Sequence, residues 1–468
     1  MNLLKWVILS LIGLVTAGLL AFGPRPYADL PKDRVVVDYW EKWTGNEEQQ
    51  MRSIVDEFNN TVGAEKHIFV RYISTSSINQ KTLVATAAGV PPDIAGLYDN
   101  NLVQFAAMDA LEPLEDLARE YGITSSYYKP VYWNACNYNG HLWCLISTPM
   151  DVALHYNKKA FADAGLDPER PPQTIEEFDH YAKALTVLDS SGHVKRAGYI
   201  PLEPGWFVNF TCLWFGGSIW DAENHKFTLT DPRVVDAYRW IQSYSKTLGK
   251  DAITTFQSGF GNFDSPQNAF LAGQVAMEQQ GPWMANFIYK LKPDMSTVLW
   301  PKDEEMTKPL AERRKNYEWA VAAFPTSIPG LTDVTYCGFD AMTIPRGAKH
   351  KREAFEFIAW VNRQDVMEKL NKLHCKNSPL ANVSRDFLEH HPNRYVDVFE
   401  RLSMSPNARA CPQIPIMPEV FEELTVLSQQ TALMRVDPAQ ALAEMQVRLQ
   451  AKYDQFVRQQ RARGSTAQ

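Results

Sequence analysis

The fold is first indicated by the stretch VVVDYWEKWTGNEE, residues 35–48. Residues 35–40 are rich in valine and aromatic side chains, which predicts a buried strand. Thr44 and Glu47 have the spacing of a capping box, which marks the start of a helix. The apolar positions of that helix recur at the i, i+3, i+4, i+7 interval of one buried face; they are Met51, Ile54, Val55 and Phe58.

The same alternation of strand and helix continues along the chain. Residues 68–73 predict a second strand, residues 79–88 a helix that ends at Gly89, and residues 92–97 a third strand. Strand, helix, strand, helix, strand is the order of a parallel α/β sheet. The middle of the chain is more helical, and a second capping box stands at Thr174 and Glu177. A returning strand at residues 338–345 and helices at residues 352–362 and 437–458 complete the prediction.

Composition excludes several classes of protein. The chain has 468 residues, of which 45% are hydrophobic and 22% charged, and its formal net charge is −7. This apolar content is too high for a disordered chain. No block of lysine and arginine is present, so we expect no nucleic-acid partner. A single long uncharged run excludes a polytopic membrane protein.

That run covers residues 6–24 and contains no charged side chain. As a helix it would span about 28 Å at ~1.5 Å per residue, close to the thickness of the hydrocarbon core of a bilayer. Residues 1–31 are therefore predicted to be a membrane anchor plus linker, with a cleaved signal peptide as the alternative. In both interpretations the rest of the chain is exported. A membrane anchor further predicts a periplasmic protein tethered to the inner membrane.

Six cysteines fit an exported chain in which disulfides can form. Cys136 and Cys144 flank Asn139-Gly140, a strong signal for a tight hairpin turn. We predict a disulfide between these two cysteines, and Cys375 with Cys411 is a weaker candidate pair; free buried thiols are the alternative. No CxxC spacing is present, and His390-His391 has no further clustered ligands, so neither a metal site nor a cofactor is predicted.

Several sequence blocks occur in a fixed order along the chain: residues 37–45, 88–94, 156–168, 270–277 with Gly281-Pro282-Trp283, 323–325 and 337–344. This series resembles the family 1 extracellular solute-binding proteins of ABC importers, the carbohydrate-binding group that includes maltose-binding protein. The resemblance covers about residues 35–455. Two departures are the missing lipid-anchor cysteine and Cys337-Gly338 in place of the usual pair of glycines.

The resemblance implies the type II periplasmic-binding-protein fold, in which two α/β lobes meet at a hinge that the chain crosses more than once. Carried over, lobe one comprises residues 32–149 and 319–347, and lobe two comprises residues 150–318 and 348–455, followed by a frayed tail at residues 456–468. The implied protein is a monomer that binds a sugar or oligosaccharide between its lobes and delivers it to the transmembrane subunits of an ABC permease.

A sugar presents polar edges and flatter apolar faces, so its site needs aromatic plates and a few polar groups. The resemblance implies that Trp283 faces the ligand. Tyr98, Asp99 and Asn100 follow the third strand, at the edge where α/β sheets bind ligands. The full set of candidate ligand contacts is Trp283, Trp43, Glu41, Tyr98, Asp99, Asn100, Asp151, Trp206, Gln279, Gly338 and Asp340. Each has a structural alternative: a packed aromatic ring for the tryptophans and a solvated charge for Glu41.

Two other functions stay open. The chain has no G-x-S-x-G, H-E-x-x-H or P-loop motif, so no catalytic residue is predicted. Exported glycosidases use two carboxylates that a sequence alone does not pair, which keeps a polysaccharide-processing enzyme as one alternative. The other is an exported sensing or adhesion protein that uses the same cleft without transport.

Overall fold

The computed structural model describes residues 30–296, 312, 314 and 317–466. The anchor or signal segment predicted at residues 6–24 lies outside these ranges. In the part of the chain that is described, no helix has both the length and the apolar character needed to cross a membrane.

The strands β1 to β15 are, in chain order, Val35–Glu41, Ile68–Ser74, Ile94–Tyr98, Asn137–Tyr138, His141–Leu142, Leu145–Asp151, Ala153–Asn157, Val187–Leu188, Val194–Arg196, Trp220–Asp221, Lys226–Phe227, Met277–Gln280, Trp319–Ala322, Thr335–Thr343 and Ala408–Arg409. The helices α1 to α17 are Gly45–Asn60, Val62–Glu65, Ile78–Ala87, Asp99–Ala107, Glu115–Glu120, Pro130–Cys136, Lys158–Asp163, Ile175–Leu185, Pro232–Leu248, Lys250–Gln257, Met284–Leu291, Lys351–Val361, Gln364–His374, Arg385–Glu389, Val396–Met404, Met417–Ala432 and Pro438–Thr466. Short 3-10 helices cover Val208–Phe215 and Pro293–Met295.

The three strands predicted near the start of the chain are neighbours in the first sheet, in the order β3-β1-β2. β1 lies between β2 and β3 and pairs with both in parallel, as the alternation of strand and helix predicted. β14 lies antiparallel between β3 and β6, and β15 pairs with its first residues. The carboxyl ends of β1 and β3 open at the same edge, where Glu41 and Tyr98 end their strands.

The second sheet has the order β12-β7-β13, and all its pairs are antiparallel. The chain enters it directly from the first sheet, because Asp151 ends β6 and Ala153 begins β7. The intervening Val152 donates its backbone N–H to the Tyr336 carbonyl oxygen at 3.1 Å. Two passages between the sheets, one through Val152 and one through β14, therefore lie side by side.

Each sheet has its own hydrophobic core. The first core includes Val37, Phe58 and Leu97, and the second core includes Leu154, Phe178 and Trp214. We refer to the residues packed around the first and the second core as the first and the second lobe.

The packing differs from the predicted lobe boundaries, most extensively over two segments. Residues 319–336, predicted in lobe one, pack in the second core, because β13 pairs with β7. Residues 351–370, predicted in lobe two, pack in the first core, where the Phe357 ring contacts those of Tyr39 and Phe58. In addition, α17 continues to Thr466, through most of the predicted frayed tail.

The hairpin turn is confirmed, but the disulfide predicted across it is not formed. Asn139 and Gly140 have φ values of 50° and 81°, as a tight hairpin requires. Cys136 and Cys144 are buried free thiols. Cys136 is the last residue of α6, and its carbonyl oxygen accepts from the Trp143 N–H at 3.0 Å. The two thiols are nevertheless close together, because a side-chain hydrogen bond joins Cys136 and Cys144.

Candidate functional site

A cavity of about 590 Å³ lies between the two lobes, and its two walls differ in chemistry. The first-lobe wall is mostly polar and is formed by Lys42, Trp43, Thr44, Glu47, Asn79, Tyr98, Asp99, Asn100, Asn101 and Asp340. The second-lobe wall is mostly aromatic and is formed by Met150, Trp206, Phe207, Phe210, Phe263, Trp283, Phe287, Tyr336 and Phe421, and Lys376 lies between the two walls.

Asp340 is at the centre of the polar wall. Its Oδ1 atom lies 2.8 Å from the Lys42 ammonium, and its Oδ2 atom accepts from the Thr148 hydroxyl at 2.7 Å and from Lys376 at 3.3 Å. Burial alone would raise the pKa of the Asp340 carboxyl, but the two ammonium groups outweigh it and hold that pKa well below its usual range. The cavity therefore presents a charged acceptor fixed between two charged donors.

Lys42 follows β1, so the edge of the first sheet sets its position. Its ammonium donates to the Gly96 carbonyl oxygen at 3.3 Å and lies 4.6 Å from the centre of the Tyr98 ring. Burial lowers the pKa of Lys42, but Asp340 and Glu41 raise it further, and the net direction is upward. The side chain is therefore a permanent cation at the base of the cavity.

Glu41 was predicted to contact ligand, but it lies behind the cavity wall. Its carboxylate is fully buried and accepts from the Tyr39 hydroxyl at 2.6 Å and from the Lys42 backbone N–H at 2.7 Å. A Cβ atom added to Gly96 would lie 2.0 Å from Glu41 Oε2. The carboxylate therefore fills the space that this glycine leaves and supports Lys42.

Tyr98, Asp99 and Asn100 all line the cavity, where the carboxyl end of β3 meets α4. The Asp99 carboxylate accepts from the Tyr336 hydroxyl at 2.8 Å and from the Asn100 backbone N–H at 2.9 Å. Burial raises the pKa of Asp99 to about 7, against these two hydrogen bonds, which lower it. The group therefore changes charge near neutral pH.

The aromatic wall is built around Trp283, which is 9% exposed. Its ring packs flat against Gly281, where an added Cβ would lie 2.1 Å from Trp283 Cζ3. The centre of the Trp206 ring lies 6.3 Å from that of Trp283 and 4.5 Å from that of Phe263. Trp206 is 44% exposed and therefore lies at the rim of this wall, whereas Trp283 lies deeper in the cavity.

Asp151 was predicted as a contact near the hinge, and the structure places it in a buried network below the cavity. Its carboxylate accepts from the Tyr132 hydroxyl and from the Asn377 amide, and it does not line the cavity. Burial raises its pKa to about 6, against nearby Lys129, which lowers it. The residue ends β6 at the passage between the sheets, so it supports the hinge region.

Gln279 and Gly338 also stay outside the cavity wall. Gln279 lies within β12 and is 5% exposed. At Gly338, an added Cβ would lie 2.2 Å from Met150 Cε and 3.0 Å from Asp99 Oδ2. Because Gly338 has no side chain, Met150 and Asp99 can lie close to β14, so Gly338 shapes the cavity without lining it.

Several cavity residues were not predicted. Lys42 lies in the same block as Glu41 and Trp43, so the alternation of charged and aromatic residues after β1 was a usable signal. The others that were missed are Thr44, Glu47, Asn79, Asn101, Met150, Phe207, Phe210, Phe263, Phe287, Tyr336, Lys376 and Phe421. No local sequence pattern marks Lys376. It lines the cavity because the chain passes back to the site after α13. Across the described ranges, no three metal-binding side chains cluster.

Several known proteins are similar to this chain in sequence or in structure. A family model described as bacterial extracellular solute-binding protein matches residues 53–374, more than half of the chain. An sn-glycerol-3-phosphate-binding periplasmic protein (UgpB) of Pectobacterium atrosepticum is 27% identical over 282 residues, which are 56% of this chain and 57% of that protein. The chain thus spans little more than half the length of this relative.

Two solved structures are similar over nearly their whole length. CpMnBP1 with mannobiose bound is 25% identical, with a TM-score of 0.72 over 88% of this chain and 99% of that chain. The sugar-binding protein MalE of the phytopathogen Xanthomonas citri is 18% identical, with a TM-score of 0.70 over 92% of this chain and 99% of that chain. These likenesses confirm the predicted two-lobe α/β fold.

Proposed function

We propose, because this chain belongs to the family of bacterial extracellular solute-binding proteins, that it captures a saccharide between its lobes and delivers it to the permease of an ABC importer. The family predicted from the sequence blocks is confirmed. The substrate and the permease partner are proposals, and they rest on the chemistry of the cavity.

The observation that carries the proposal is the pairing of an aromatic wall with an ion-paired polar wall across one cavity. Trp206 and Trp283 offer flat apolar surfaces that suit the C–H faces of a sugar ring. Opposite them, Lys42 and Asp340 offer a charge-assisted donor and acceptor for ring hydroxyls. A saccharide presents both kinds of surface at once. The mannobiose bound to the similar CpMnBP1 is such a ligand.

Capture is proposed to work by closure of the lobes. A ligand that touches both walls makes its full set of contacts only when the lobes are close together, so binding shifts the population toward the closed form. The passages at Val152 and within β14 are the hinge strands in this proposal. The closed surface is then recognised by the permease.

A second candidate ligand is sn-glycerol-3-phosphate, because the similar protein of Pectobacterium atrosepticum carries that name. Lys42 and Lys376 are the cations available for a phosphate. Both are already paired with Asp340, at 2.8 and 3.3 Å. A phosphate would have to compete with this carboxylate, so the cavity favours a neutral saccharide.

The similar proteins are binding proteins, and we propose that this chain likewise releases its ligand unaltered. We further propose that it acts as a monomer in the periplasm and that residues 6–24 tether it to the inner membrane.

A thermal-shift panel tests the proposal directly. The panel contains mannobiose, mannotriose, maltotriose and sn-glycerol-3-phosphate. A ligand that binds only the folded state raises the free energy of unfolding by about 2.7 kcal/mol at 100 times its Kd, so at least one saccharide is expected to raise the melting temperature. Each sample is then analysed by chromatography. Release of shorter sugars would overturn the binding proposal in favour of hydrolysis.

A further inference from the structure

Lys376 lies where the chain passes from one lobe to the other. It follows α13, whose Leu370 packs in the first core, and it comes directly after Cys375, which packs in the second core. The side chain is buried, with 4% of its surface exposed. Its ammonium group reaches the cavity between the two walls.

The ammonium of Lys376 is held on the side of the first lobe. It donates to the Thr148 hydroxyl at 2.9 Å and to Asp340 Oδ2 at 3.3 Å. Thr148 and Asp340 are paired residues of β6 and β14 in the first sheet. The ring centre of Trp43, also in the first lobe, is 5.7 Å from the same ammonium.

The same ammonium also faces the second lobe, because the ring centre of Trp283 lies 5.5 Å away. A buried cation over a tryptophan ring is attracted by the ring quadrupole, and the attraction is stronger where water is excluded. Lys376 is thus shared by one tryptophan of each lobe.

We propose that Lys376 is an interlobe latch, a positioning residue whose contact with Trp283 stabilises the closed arrangement of the lobes before ligand arrives. The inference rests on the proposed function, in which the cleft opens and closes around a solute. When the lobes separate, the contacts with Thr148 and Asp340 stay within the first sheet, and the contact with Trp283 is lost. One cation–π contact changes the open-to-closed ratio by roughly 2- to 30-fold.

Lys42 provides a matched control. It places the other ammonium on Asp340, at 2.8 Å, and it also lies over aromatic rings, those of Trp43 and Tyr98. Both rings belong to the first lobe. Lys42→Met therefore removes the same kind of charge from Asp340 without removing a contact between the lobes.

The test is pulsed electron double resonance on the full chain in detergent, without ligand. Spin labels on p-acetylphenylalanine at the exposed positions Val84 and Val447 report the distance between the lobes, and the native cysteines stay untouched. Lys376→Met is expected to raise the open-to-closed ratio by roughly 2- to 30-fold. Lys376→Arg should keep the wild-type distribution, and Lys42→Met should remain close to it.

Two results would overturn the latch: a Lys376→Met distribution equal to the wild type, or equal opening in Lys42→Met. Circular dichroism checks that each variant is folded. If Lys376→Met does not fold, Trp283→Phe is measured instead, and its weaker ring should give a smaller opening in the same direction; no opening there would also overturn the latch. No saccharide enters this experiment, so its outcome is independent of the thermal-shift panel that tests the proposed function.

Discussion

Phe210 and Tyr336 stack face to face at the base of the cavity, with their ring centres 3.8 Å apart and their planes 13° apart. Phe210 lies in a short 3-10 helix of the second lobe. Tyr336 lies near the start of β14, and its hydroxyl donates to Asp99 of the first lobe at 2.8 Å. One aromatic side chain therefore connects both lobes where the chain passes between them.

Tyr336→Phe tests the polar half of this connection. The stack on Phe210 is kept, but the buried Asp99 carboxylate loses a donor, so we expect a loss of about 1–3 kcal/mol in the free energy of unfolding. Urea denaturation at pH 7 measures the change. Tyr336→Leu, which also removes the stack, should lose more, and equal stability of Tyr336→Phe and the wild type would contradict the assigned hydrogen bond.

Asp99 makes stability depend on pH. Its folded pKa, about 7, lies above the value of about 3.9 for an unfolded aspartate, so the folded state favours the protonated form. Its contribution to stability is fully present below about pH 4 and is lost as the pH rises through about 7. Urea denaturation from pH 4 to 7.5 should show the stability of the wild type falling relative to Asp99→Asn.

Asp151 and Glu203 also have raised pKa values, about 6 and about 7, each chiefly because of burial. Both residues are present in the wild type and in Asp99→Asn, so the difference between the two proteins isolates Asp99. A difference that stays constant across this pH range would refute the assigned pKa.

Trp283→Ala tests whether the deeper ring of the aromatic wall contacts the saccharide. The variant loses a tryptophan ring of the aromatic wall, so affinity for the best saccharide should fall by about tenfold or more. Calorimetric titration measures affinity, and thermal unfolding measures stability. Trp206→Ala, at the rim, should have the smaller effect. If Trp283→Ala lost stability but kept its affinity, Trp283 would be a core residue only.

Gly96→Ala tests the support behind Lys42. The new methyl group would overlap the Glu41 carboxylate, at 2.0 Å from Oε2, and overpacking of this kind costs about 1–3 kcal/mol. Gly259→Ala is the control, because its Cβ would lie 3.4 Å from the Phe256 carbonyl oxygen, a tolerable contact. Equal stability of the two variants, measured by urea denaturation, would show that the space at Gly96 is not needed.

Local sequence signals predicted a feature correctly where the tertiary structure leaves the same side chains in their local roles. At Thr174 the side chain accepts from the Glu177 N–H at 3.1 Å, so the predicted N-cap is confirmed. The Glu177 side chain accepts from the Gln173 N–H at 2.8 Å, one residue before the cap, so the reciprocal half of the capping box is shifted by one residue. The box at Thr44 is not formed, although its helix is. Its partner Glu47 instead lines the cavity near His374. Glu47 is thus part of the helix, as predicted, but its side chain lines the cavity and does not cap the helix.

The part of the site that follows directly from strand ends was predicted from the alternation of strands and helices. Tyr98, Asp99 and Asn100 line the cavity because they follow β3 at the ligand-binding edge of the sheet. Lys376 was missed because packing between distant segments decides which lobe α13 joins, and sequence spacing does not encode such packing. Glu41 was misplaced for a related reason, since the absence of a side chain at Gly96 creates the space that buries it.

In the proposed complex, a saccharide lies between Trp283 and the Lys42–Asp340 pair. Isothermal titration of the wild type and Asp340→Asn with the saccharide that gives the largest thermal shift measures this arrangement, because Asp340 is the fixed acceptor of the polar wall. We expect saturable one-site binding to the wild type and an affinity about 10- to 100-fold weaker in the variant. Equal affinity in both proteins, or no heat of binding with the wild type, would contradict it.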